Sequence, residues 1–439
     1  MRFTGDLKSM KKFLKAALLS VCLVCFALGA AACTQRESES KEPGFHYYTT
    51  QSGEKVLYEY VAEKDDAGND ITKVVIPDDL GISKIQAGAF GGNGTIEELV
   101  ISSTVKEIAA GAFEGMQKLK SITLPFVGEK AGAVNEKKTF GYVFGTEEYD
   151  AGVAVTQSYG SSSATYYLPK TLESVTVVGG EDYALPDYAF HSMSNLKSVT
   201  LGGVSAIGDY AFYGCYYLTN FSVPASVESI GAQAFVDCDR LNGTAAVGAD
   251  LSVKGNFAFA AESKLASIGD HAFAGTNLKE IDLSGLEDLA EIGIGAFAGS
   301  IVPDESDGTV TELGGKLEKV VLPASVTKIP SRAFYNCDNL VTVIYSDDLT
   351  EICGDAFAGC DKLRGVKNAS YAAADPTDAK EGVVVIPAGV TKVWAGAFVN
   401  IGADKITYRL VNDAAAGADA LTEGWRNSDG KWNDLAEQA

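Results

Sequence analysis

Residues 218–238 read LTNFSVPASVESIGAQAFVDC, and this stretch decides the fold. Leu218, Phe221 and Val223 alternate with polar neighbours as a half-buried strand does. Pro224 then withholds a backbone donor, so a strand ladder must stop there. Ile230-Gly231 marks a turn, and Ala234-Phe235 returns on the far side, the small residue allowing close approach while the ring fills the interior. The next copy opens at Leu241.

The closing Ala-Phe pair recurs eleven times, at Phe90, Phe113, Phe190, Phe212, Phe235, Phe259, Phe273, Phe297, Phe334, Phe357 and Phe398. The steps 90 to 113, 190 to 212, 212 to 235 and 334 to 357 are 22 or 23 residues. A period of that size means a solenoid whose copies bury their apolar groups only against one another, with terminal copies needing caps. The length of 439 residues therefore implies one extended array and not several globules. The hydrophobic fraction of 46% suffices for its core, and 47 glycines suit a chain that turns several times per copy.

The pattern Leu-x-x-Ile-x-Leu-Pro-x-x-Val-x-x-Ile-Gly-x-x-Ala-Phe-x-x-Cys resembles BspA-type leucine-rich repeats of bacterial surface proteins. Good copies are Leu119 to Leu124 with Pro125, Leu317 to Leu322 with Pro323 through Cys337, and Leu340 through Cys360. The resemblance covers residues 71–400 and implies a leucine-rich repeat solenoid, a right-handed superhelix of the α/β class, β-rich, with short or irregular convex segments and a cap at each end. For activity it implies only a tendency toward surface binding. The common leucine-rich repeat carries an Asn after the strand; Thr104, Ser226, Ser325 and Gly389 stand there instead, and small hydroxyls bond the backbone more weakly.

Outside the array, Lys11, Lys12 and Lys15 precede an apolar run from Ala16 to Leu28 and the site Ala30-Ala31-Ala32-Cys33. This is an export leader, with Met10 as its more ordinary start. The cysteine resembles the lipobox of bacterial lipoproteins and implies acylation of Cys33. Simple secretion and an uncleaved anchor are the alternatives, the latter against an apolar run shorter than the ~20 residues of a membrane span. The expected organisation is a signal peptide over 1–32, a flexible polar tether over 33–44 and an N-terminal cap over 45–70. The solenoid follows over 71–400, with an insertion at about 126–170, and then a C-terminal cap or tail over 401–439. Trp394, Trp425 and Trp432 are expected to cover the last coil, although GWRNSDGKW also resembles half of a choline-binding-type wall repeat.

The insertion is rich in Gly, Ser and Tyr, and Tyr142, Phe144, Tyr149, Tyr159, Tyr166 and Tyr167 are the candidate ligand contacts. The competing reading has these rings covering their own loop. Smaller insertions at 243–257 and 301–315 read as surface loops. The outward strand positions Val75, Val100, Thr123, Thr176, Thr200, Ser222, Asp282, Val321, Ile344 and Val385 show no aromatic or charged cluster, and Thr and Val there are good strand formers.

A net charge of -22 argues against nucleic acid and against a basic membrane-binding patch. It suits solubility, or an acidic face that recruits a cationic partner. Of eight cysteines, Cys215, Cys238, Cys337 and Cys360 stand three residues after an Ala-Phe ring, where Met116 and Met193 stand elsewhere. Stacked free thiols and disulfides between adjacent coils are both compatible with that spacing, free thiols being the expectation. Asp65, Asp66, Asn69 and Asp70 form a turn sequence lacking the downstream Glu of a calcium loop. His46, His191 and His271 have no metal spacing, and no hydrolase, phosphate-loop or dinucleotide motif is present. The expectation is a non-enzyme with no cofactor and no metal, held in the cell envelope by Cys33 and exposed at the surface. Its partner would be an extracellular protein or glycan; a structural envelope role without a ligand is the alternative.

Overall fold

The structure is a computed structural model that describes residues 44–303, 310–346, 348–363 and 390–401, together with strands at 36–38, 365–368, 383–386, 407–410, 425–426 and 432–433. The chain winds as a leucine-rich repeat solenoid with almost no helix beyond short 3-10 turns. Each coil contributes one strand to a parallel sheet. Lys73–Val75, Glu98–Val100, Ser121–Leu124, Ser174–Leu185 and Ser198–Ile207 are successive neighbours in one sheet. Phe221–Val223 begins a second sheet that runs on through Glu280–Asp282, Lys319–Val321 and Thr342–Tyr345. Val74, Leu99, Ile122, Val175 and Val199 point inward and are buried, as the alternation of the sequence requires.

A second parallel ladder of two-residue strands follows, exemplified by Ser229–Ile230, Ser267–Ile268 and Glu291–Ile292. The Ala-Phe turns come next. Phe212 N–H donates to the Ala234 carbonyl, Phe235 to Ala272 and Phe334 to Ala356, each 2.8 to 2.9 Å, so coil locks onto coil through this pair. The rings then form one column: Phe190 to Phe212, Phe212 to Phe235 and Phe235 to Phe273 have centroids 5.3, 5.1 and 5.3 Å apart. The column continues through Phe297, Phe334 and Phe357 to Phe398. Ring pairs at such spacing contribute about 0.5–1.5 kcal/mol beyond their burial.

Two features of the turns exceed what the sequence announces. The residue before Ala lies in the left-handed region in each of these Ala-Phe turns, whether Gly88, Gly111, Tyr188, Tyr210, Gln233, His271, Gly295, Arg332, Asp355 or Gly396, with φ between 54 and 77°. Gly231 serves closeness, not a left-handed turn. A Cβ on it would lie 2.5 Å from the Asp209 backbone nitrogen.

The small hydroxyls after the strand work between coils: Thr104 Oγ1 donates to the Ile82 carbonyl at 2.8 Å, Ser226 Oγ to Val204 at 2.8 Å and Ser325 Oγ to Leu289 at 2.6 Å. Gly389 lies outside the described residues.

One expectation is corrected. Ala258-Phe259 is not an Ala-Phe turn, and 243–257 is not merely a surface loop. Thr244–Val247 and Phe257–Phe259 are both strands of the second sheet, the later one inserted between Phe221–Val223 and the earlier one. Phe257 and Phe259 are fully buried there, while the ring column passes straight from Phe235 to Phe273. The segment 301–315 contains an antiparallel pairing of Ser300–Pro303 with Val310–Leu313.

At the N-terminal end Phe45–Thr49 and Lys55–Tyr60 form an antiparallel hairpin that joins the two-residue ladder at Ile82–Ile85. Tyr60 lies on Phe90, centroids 5.4 Å apart at 22°, and so covers the first ring of the column. The DDAGND stretch is a turn closed on Asp65, which accepts the Ala67 and Asn69 amides at 2.9 and 2.8 Å, with Lys64 paired to Asp70 at 3.0 Å. Trp394 is 37% exposed and directs its indole N–H back to Glu351 of the preceding coil; the side chains of Trp425 and Trp432 lie outside the described residues.

Candidate binding surfaces

The insertion leaves the strand face undisturbed. Ser121–Leu124 and Ser174–Val177 pair directly although some fifty residues separate them. On the Ala-Phe side the inserted chain supplies a coil of its own. Phe113 N–H donates to the Val143 carbonyl and Phe140 N–H to the Ala189 carbonyl, both 2.9 Å. Phe144 meets Phe113 at 5.8 Å and Phe140 meets Phe190 at 5.3 Å, so the ring column crosses the insertion unbroken. Gln157, fully buried, fixes this coil by accepting the Gly141 amide at 2.6 Å and donating to the His191 carbonyl at 3.1 Å.

The six candidate contacts separate accordingly. Phe144 and Tyr166 are core residues with no surface to offer. Tyr166 meets the Thr139 hydroxyl at 3.2 Å, and Tyr142 donates to Glu129 at 3.3 Å, beside Lys137. Tyr149 donates to the Met116 carbonyl at 3.2 Å, and its burial holds the phenol well above its ordinary pKa. Tyr142, Tyr149, Tyr159 and Tyr167 are partly exposed. Cys33 lies outside the described residues.

The outward face of the sheet carries uncharged hydrogen-bonding groups in register. Ser121, Ser174 and Ser198 form one row and Thr123, Thr176 and Thr200 the next. Serine is a weak strand former, so strand propensity does not account for the first row. The charges beside it neutralise one another, Lys120 with Glu97 at 2.7 Å and Lys197 with Glu173 at 2.6 Å.

A second surface escaped the sequence reading. Tyr188 stacks on Tyr210, centroids 4.7 Å apart at 4°, and His191 on Tyr213, 5.2 Å apart at 8°. Tyr216 and Tyr217 continue it and are 46% and 47% exposed. The signal was present in the near-identical phrases DYAFH at 187–191 and DYAFY at 209–213, followed by Tyr216-Tyr217. Read as core markers, these phrases hide that the residues around Ala-Phe point outward. Burial lowers the pKa of His191, which favours its neutral form. No group of His, Cys, Asp and Glu fit to hold a metal occurs among the described residues.

The model of the BspA type leucine rich repeat region matches in six copies, over residues 67–132, 183–302 and 313–372, more than half of the chain. The chain belongs to the BspA-type leucine-rich repeat family. The gap from 133 to 182 between matched stretches holds most of the insertion and the greater part of the Ser174–Leu185 strand. Among solved structures, this BspA-type chain is similar to a leucine rich cell surface protein of Faecalibacterium prausnitzii (16% identity, 89% of this chain and 99% of that one, TM-score 0.31). It is also similar to a leucine-rich repeat protein of Bacteroides ovatus (18%, 88% and 100%, 0.33) and to the pneumococcal vaccine antigen PcpA (17%, 86% and 89%, 0.32). No curated protein matches the chain. No helix among the described residues is long and apolar enough to cross a membrane.

Proposed function

We propose that this chain is a non-catalytic, lipid-anchored surface protein whose solenoid binds an extracellular protein or glycan, in the manner of an adhesin. The observation that carries this reading is the outward sheet face. Its rows of serine and threonine hydroxyls have no hydrogen-bond partner among the described residues, and the charges beside these rows are paired, which leaves a rigid neutral platform there. Membership of the BspA-type repeat family, whose resemblance is to bacterial surface proteins, suits display outside the cell. The leader, Cys33 and the polar tether of residues 34–43 supply the means: a thiol to acylate and a spacer to hold the solenoid clear of the membrane.

Two measurements test it. Cys33→Ala is expected to abolish incorporation of a palmitate analogue; unchanged labelling removes the anchor. The full chain in mild detergent is expected to capture saturably a component of host matrix or of the producer's own wall. Saturable capture of neither overturns the binding role in favour of a structural envelope protein.

A further inference from the structure

The coil register places Tyr216 and Tyr217 at the positions held one coil later by Asp239 and Arg240. The Arg240 guanidinium lies 5.3 Å over the Tyr217 ring, as that register requires. At the opposite end of the tyrosine patch, Lys138 Nζ lies 5.1 Å over the Tyr188 ring. Both ends of the patch thus hold a cation of the chain itself against an aromatic face. Among the described residues Tyr216, which precedes Asp239 by one coil in that register, has none; Asp237 acts on both the Tyr213 and the Tyr216 rings, and Asp239 acts on Tyr216. Neither carboxylate forms an ion pair or a side-chain hydrogen bond among the described residues, Arg240 acting on Asp239 only from a distance, whereas Asp187, at the Lys138 end, is paired at 3.3 Å.

An aromatic face that is negative by its quadrupole, set beside unpaired carboxylates, favours a cation over a neutral ligand. We propose that Tyr216, with Tyr213, Asp237 and Asp239, receives a lysine or arginine side chain of a partner polypeptide. The inference deepens the binding reading above and rests on it for the partner's being extracellular. The formal charge of -22 would steer a basic segment toward the molecule, and the patch would decide where it settles.

The test is fluorescence anisotropy of a labelled alternating Arg-Gly decapeptide with the full chain in mild detergent at physiological ionic strength, against a Glu-Gly control. Saturable binding of the basic peptide alone is expected. Tyr216→Ala should weaken it about three- to tenfold, and Asp237→Asn with Asp239→Asn at least as much. Glu287→Gln with Asp288→Asn, which removes the same charge from a distant exposed turn, should leave it unchanged; circular dichroism checks that each variant is folded. Absence of saturable binding overturns the site, as does equal weakening by the distant pair, which would assign the binding to net charge. A neutral chito-oligosaccharide whose binding is lost in Tyr216→Ala while peptide binding persists would overturn the partner class. None of these outcomes depends on Cys33 labelling or on capture from matrix, so failure here is distinguishable from failure of the surface-scaffold reading.

Discussion

Cys215, Cys238, Cys337 and Cys360 each donate a thiol hydrogen to the carbonyl of a phenylalanine one coil back, at 3.2, 3.3, 3.2 and 3.0 Å. All are free and buried. Their recurrence after Ala-Phe was plain in the sequence; the carbonyl that receives the bond belongs to another coil and was not. Burial pushes the Cys215 thiol up to about 12 from 9.0, and the other three rise for the same first cause. The folded chain therefore keeps protons that the unfolded chain releases above its ordinary thiol range. This stability is complete below pH 9 and is lost as pH rises toward 12, by about 1.4 kcal/mol per pH unit for each such thiol. Urea unfolding at stepped alkaline pH should show the decline, and Cys215→Ala should flatten its share; an equally steep curve in the variant would refute the assignment.

At the scale of elements, two identical dipeptides take different structures. Ala234-Phe235 closes a turn, while Ala258-Phe259 lies in a strand. Local sequence cannot separate them, because either position needs one small and one large apolar residue. The separation comes from the neighbouring coil: Phe235 donates to Ala272, which leaves 258–259 to pair with Ser222 and Val223. Gly231 shows the same dependence. An added methyl there would meet backbone atoms of the preceding coil, which cannot swing aside as a side chain can. Gly231→Ala is expected to destabilise by about 1–3 kcal/mol in urea unfolding, with the loss falling on coil stacking. Ala109 holds the corresponding place in an earlier coil, so its change to Gly should cost less; equal effects would show that close approach is not the reason for glycine.

For the whole molecule, the ring column from Phe90 to Phe398 makes every coil the support of the next, and its exposed end is the point of weakness. Tyr60 covers that end, backed by Phe45 at 5.0 Å. Removing residues 44–70 should lower the melting temperature and raise dye binding to exposed apolar surface, since each buried large side chain of the cap contributes about 1.5–3 kcal/mol. An unchanged melting curve would show that the first coil needs no cover.

The period, the inward residues of each strand and the thiol column were determined by the sequence alone, because burial demands the same residue types at the same phase in every coil. The tertiary structure alone decided which coil stands beside which. It carried the rings across the insertion through Phe140 and Phe144, placed Phe257–Phe259 in the sheet, and gathered Tyr188, Tyr210, Tyr213 and Tyr216 into one surface. The reason is physical: periodicity fixes which side of a coil a residue occupies, whereas a surface is made between coils, by hydrogen bonds and ring contacts whose partners lie a full turn of the chain away.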